Sequence, residues 1–200
     1  MAGLSPAYFG MVMATGIVSI AAHLLGFAWL ARSLYALNCA FYVALWILYL
    51  LRLWWHPRAF FQDLFDHLRG PGYFTSIAAS GVLGSQTIVL YGWLSAAFAL
   101  WCVWLVLTYA IFTILTVKES KPSLDRGING GWLLAVVATQ SIAVLSALLA
   151  ARIGQPHKLE LNFFALSMWL WGGMLYIWMM SLIFYRYNFF ALSPGDLSPP

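Results

Sequence analysis

Three short runs of small and polar residues recur along this 200-residue chain. They are Ala14-Thr15-Gly16, Ala79-Ser80-Gly81 and Ala138-Thr139-Gln140, spaced 65 and 59 residues apart. Each lies mid-way along an apolar stretch that carries no internal Asp, Glu, Lys or Arg. The chemistry open to such a set is that of neutral donors: hydroxyls, an amide and backbone N–H groups. With no carboxylate to attract a cation or relay a proton, a path lined by such donors favours anions or neutral polar solutes. It passes them quickly only where each contact is weak. The residues nominated for such a lining are Thr15, Gly16, Ser19, Ser80, Gly81, Thr139, Gln140 and Ser141. Close helix packing, with Ser and Thr bonding to carbonyls one turn back, is the commoner use of any single one of them. Gln140 is the most telling, because a mid-span amide is costly unless it is bonded or wet.

A second constellation is His56, Asp63, Asp66 and His67. It can be drawn as a metal or acid–base cluster, and it supports a competing class, a membrane-embedded enzyme working at the cytoplasmic interface. The interleaved Phe60, Phe61, Leu64, Phe65 and Leu68 favour a different reading, in which 58–69 is an amphipathic interfacial helix with its charges in water. No metal or other cofactor is expected. His23 is the only histidine within a span, so a haem held between two intramembrane histidines is excluded, and His23 is read as a boundary residue.

The elements that must position the three runs are membrane helices. The chain is 63% hydrophobic and 8% charged, where a soluble domain carries about 25% charge. Six stretches reach the roughly 20 apolar residues a bilayer needs: 8–27, 34–53, 74–92, 95–117, 132–151 and 163–185. No strand alternation is visible, so helices must satisfy the backbone in lipid. The first stretch lacks a basic leader and a cleavage site and is read as a retained span. Cys39 and Cys102 fall inside spans, without metal-ligand spacing. The basic residues are dispersed, which argues against nucleic acid as a partner. By loop they divide as Arg52, Arg58, Arg69, Lys118, Lys121, Arg126 and Arg186 against Arg32, Arg152 and Lys158. That bias predicts a multi-pass protein of the cell (inner) membrane with both termini cytoplasmic.

The odd and even spans differ in kind. Span three contains Thr75, Ser76, Ser80, Gly81, Gly84, Ser85, Gln86 and Thr87, and span five contains Thr139, Gln140, Ser141 and Ser146. Span two has Tyr35, Phe41, Tyr42, Trp46 and Tyr49, and span six has Phe163, Phe164, Trp169, Trp171, Tyr176 and Trp178. Large apolar side chains tolerate lipid, whereas small ones mark close helix contact or a cavity. The pattern predicts an inner ring of odd helices and an outer ring of even ones.

Several runs resemble the tellurite-resistance/dicarboxylate transporter family, which includes slow-type anion channels, malate carriers and sulfite exporters. They are 8–19 (YFGMVMATGIVS), 70–75 (GPGYFT), 127–132 (GINGGW) with the following Ala138-Thr139-Gln140-Ser141, and 184–190 (FYRYNFF) followed by Leu192-Ser193-Pro194. The resemblance covers essentially the whole chain. It implies an all-α fold of five hairpins in quasi-fivefold, ten-helix arrangement, with odd helices lining a central pore. It also implies homotrimers in a lipid bilayer and small anionic substrates: C4-dicarboxylates such as malate, or oxyanions such as sulfite or tellurite. Only three hairpins are present before Pro199-Pro200, so the single domain 1–200 is read as incomplete at its C-terminus, and a truncated, non-functional transporter is a third possibility. The family's occluding phenylalanine lies on a ninth helix, to which no residue here corresponds. The family kinks odd helices with proline; here Gly16, Gly81 and Gly84 are expected to supply that flexibility instead.

Overall fold

The structure, a computed structural model, describes residues 3–117 and 121–191. Helices account for nearly all of it, and the described residues include no strand. They are α1 (Phe9–Leu24), α2 (Ala28–Trp55), α3 (Pro57–Phe65), α4 (Phe74–Tyr91), α5 (Leu94–Val117), α6 (Leu124–Gly127), α7 (Leu133–Ala150) and α8 (His157–Phe189). Five stretches are long and apolar enough to cross a membrane, and α5, at 24 residues, is the sixth helix of sufficient length.

The long helices pair as the hairpins α1–α2, α4–α5 and α7–α8. Gly26 (φ 85°) turns the chain between α1 and α2, and Gly92 (φ 68°) closes α4 before α5. Both occupy the left-handed region, where a side chain is strained and glycine is not. The hairpins pack in two layers. α4 lies between α1 and α7, so the three odd spans form a continuous inner row. α2, α5 and α8 lie outside, and α2 and α5 also reach across to α4 and α7 respectively.

Burial follows composition. In α4 and its leading turn 83% of the apolar window is buried, against 17% in α2 and 22% in α8. The outer helices present Val43, Ile47, Trp169, Trp171, Met174, Ile177 and Trp178 to the surroundings. Such residues are at home in lipid, which is as apolar as they are.

Three expectations need correction. The outer helices are longer than their apolar spans, because a helix continues into the headgroup region where charge is tolerated: α2 begins at Ala28 and α8 at His157. The interfacial helix ends at Phe65 rather than 69, since Asp66 is extended and its carboxylate accepts from the Leu68 amide at 2.7 Å. Finally, Arg52 and Arg186 are not loop residues. Both lie within helices and are buried, at 1% and 6% exposure.

Candidate functional site: the inner helix row

The three inner helices start alike. Each follows directly on a 3-10 turn that ends in an aromatic residue: Pro6–Tyr8 before α1, Gly70–Tyr73 before α4, Gly130–Trp132 before α7. Pro or Gly opens each turn, where a fixed or unhindered backbone suits the tight bend. In the first and third turns a polar side chain caps the start: Ser5 Oγ accepts from the Ala7 amide at 3.3 Å, and Asn129 Oδ1 from the Gly131 amide at 2.9 Å. Thr75 Oγ1, in the first turn of α4, reaches Gly72 O at 2.6 Å and Pro6 O at 2.7 Å, which ties the second turn to the first. Thr15, Ser80 and Thr139 are therefore each the seventh residue of a helix launched in the same way.

The contacts within the row repeat too. A Cβ on Gly16 would lie 2.5 Å from Val82 of α4, and one on Gly81 would lie 2.7 Å from Ser141 Oγ of α7. Val82 and Ser141 both follow directly on the recurring three-residue run, so the two interfaces use the same step. Gly84 extends the second, with Leu145 2.8 Å from its would-be Cβ. These glycines serve close helix approach, not the flexibility expected of them: every one lies inside an unbroken helix against a neighbour that fills the space.

Several polar groups of the row bond to the outer helices. Ser19 donates to Ala31 O of α2 at 2.7 Å. Ser80 and Thr87 give their protons to Ser76 O and Leu83 O one turn back, both at 2.7 Å. Their oxygens then accept from Tyr42 (2.8 Å) and Tyr35 (3.1 Å) of α2. Between these two contacts, Asn38 Nδ2 of α2 donates to Gln86 Oε1 at 2.9 Å, under Gly16. Both amides are fully buried, and Asn38 Oδ1 and Gln86 Nε2 keep no partner among the described residues. Gln140 donates to Trp169 O of α8 at 3.1 Å, over Gly172, and Ser146 accepts from Trp101 Nε1 of α5 at 2.7 Å.

The nominated residues thus divide. Ser19, Ser80 and Gln140 bond to outer helices, and Gly16 and Gly81 form the close contacts within the row. Thr139 is buried and bonds back to Ala135 O at 2.8 Å. Thr15 and Ser141 are half-buried; Ser141 bonds only to Ala138 O of its own helix, and Thr15 makes no side-chain hydrogen bond among the described residues. Asn38 escaped the sequence reading although a signal existed: it is a lone amide mid-way along an aromatic span, the same argument that singled out Gln140.

The His56–His67 constellation does not converge. Asp63 is held by Arg52 and by Arg69 (3.0 Å), so its charge is paired and half-buried rather than in water. Asp66 caps its own loop, and the His67 ring packs against Trp132 with centroids 5.8 Å apart. Among the described residues no three His, Cys, Asp or Glu side chains come together as a metal site.

Comparison with curated proteins and with solved structures gives no match. A family model described as voltage-dependent anion channel matches residues 3–200. With its apolar helix pairs and no strand among the described residues, the chain is a multi-pass membrane protein that belongs to the voltage-dependent anion channel family.

Proposed function

We propose that α1, α4 and α7 form one wall of a path for small anions, and that the path runs along the face of the row turned away from α2, α5 and α8. The observation that carries this reading is the repeat: three helices started by equivalent turns, meeting through equivalent glycine contacts, with their seventh residues in common register. A wall built from equivalent helices offers equivalent groups at one depth. The nominated hydroxyls that bond to no other helix among the described residues are those of Thr15 and Ser141, and in this reading they are the ones that meet the solute, with Gly81 beside Ser141. They are neutral donors, suited to weak, fast contact with an anion. Thr139, Ser80, Ser19, Gly16 and Gln140 hold the wall together behind it.

The substrates in this reading are C4-dicarboxylates or inorganic oxyanions, the assembly is a homotrimer, and the protein sits in the cell membrane. The turns that launch α1, α4 and α7 touch one another, so Arg58, Arg69, Lys121 and Arg126 share one end of the bundle, opposite Arg32, Arg152 and Lys158. The basic-rich end is the cytoplasmic one. An interfacial enzyme is not favoured, because Asp63 and Asp66 are already engaged.

The test is flux from liposomes containing the purified chain. Chloride, malate and sulfite gradients should dissipate, each to its own extent, while potassium and choline are retained. Retention of all three anions, or equal loss of cations, would refute the proposal.

A further inference from the structure

Two buried arginines do the same thing in different hairpins. Arg52, near the end of α2, donates through an Nη to Leu4 O at 2.8 Å. Arg186, near the end of α8, donates through an Nη to Ile128 O. Leu4 lies five residues before the first residue of α1, and Ile128 five before the first residue of α7. Each carbonyl directly precedes the capping residue, Ser5 or Asn129, of the 3-10 turn that launches the inner helix.

We infer that Arg52 and Arg186 are equivalent positioning residues, each pinning the start of its inner helix to the end of its outer helix and so setting the depth of that helix in the row. The chemistry suits the task. A guanidinium is charged at all accessible pH and offers several donors in a rigid fork. A cation at a helix C-terminus is favoured by the helix dipole. Arg52 uses a second Nη on Asp63, which fixes the plane of the fork and supplies the counter-charge that a buried cation requires. The α1–α2 pair is then held at both ends, by Arg52 on Leu4 at one and by Ser19 on Ala31 at the other. In the α7–α8 pair the second tie is Gln140 on Trp169. Lys118, which follows α5 in the middle hairpin, lies outside the described residues.

The pins depend on the hairpin geometry alone; only their effect on flux rests on the proposed path. Hydrogen exchange read by mass spectrometry on the whole chain in nanodiscs separates the two. R52Q should speed exchange in 4–13 by about ten-fold and leave 128–137 unchanged, and R186Q should do the reverse. Because R52Q leaves Asp63 with one partner fewer, R52Q/D63N is measured beside it and should give the same local pattern. R52K and R186K, which keep a donor, should recover part of the protection. Exchange that rises equally in both segments for either variant, or in neither, overturns the inference. Anion flux in the same variants addresses the path: unchanged flux alongside the local exchange effects would leave the pins standing and contradict the path.

Discussion

The central helix α4 has two kinds of side. Toward α2 it presents Ser80, Gln86 and Thr87, which meet Tyr42, Asn38 and Tyr35 in a ladder of side-chain hydrogen bonds. Toward α7 it presents Gly81 and Gly84, which meet Ser141 and Leu145 by close approach. Between helices in lipid there is no hydrophobic drive, so association rests on just these two means, hydrogen bonds and van der Waals packing. The difference teaches that polarity alone does not mark the side of a helix that joins the inner row. On α4 the more polar side is turned to an outer helix, and the side that belongs to the inner row is the one with least side chain.

The glycine side should be sensitive to added volume. Gly81→Ala places a Cβ against the Cβ and backbone of Ser141, which cannot turn aside, and should cost about 1–3 kcal/mol by detergent or denaturant unfolding. Gly84→Ala meets only the flexible end of Leu145 and should cost less. Gly10→Ala is the control: nothing lies within 4 Å of its would-be Cβ, so it should be neutral or stabilising by up to about 1 kcal/mol through helix propensity. A Gly81→Ala effect no larger than that of Gly10→Ala would show that close approach to α7 is not what sets the glycine side.

The ladder should show coupling instead. Asn38→Ala or Gln86→Ala alone strands a buried amide and should cost about 1–3 kcal/mol. The double variant should cost clearly less than the sum, a non-additivity that a packing contact without a hydrogen bond would not give. The outer rungs are weaker. Tyr35→Phe should lose about 0.6 kcal/mol, typical of one interhelical hydrogen bond in a membrane. A loss as large as that of Asn38→Ala would shift the weight of the ladder to its ends.

The repeat was legible because it is local. The recurring runs at spacings of 65 and 59 residues coincide with helices whose launching turns carry their own Pro, Gly and aromatic signals. The aromatic character of α2 and α8 likewise announced outer helices, since lipid selects for it position by position. Whatever depended on a distant partner was not legible. Nothing near Arg52 in the chain says that Leu4 and Asp63 will surround it, so a buried pin reads as a loop charge. Gly81 reads as a hinge until Ser141 is beside it. Asn38 and Gln86 are 48 residues apart, and each alone is only an expensive amide. The stripe was found, but the direction of its side chains was not, because the three-residue runs place a hydroxyl on a helix without saying which neighbour takes it.

The central claim is that the inner row, on its face away from the outer helices, is the anion path. It is tested most directly by charge block of flux at single cysteines. Cys39 and Cys102 are first replaced by alanine. Cysteine is then placed at Thr15 and Ser141 on the inner row, and at Val43 and Trp178, which are 55% and 60% exposed on the outer helices. Treatment with a negatively charged thiosulfonate should stop anion flux through the first pair and leave it unchanged through the second. Block at Val43 or Trp178 with full flux at Thr15 and Ser141 would place the path outside the inner row and contradict the account.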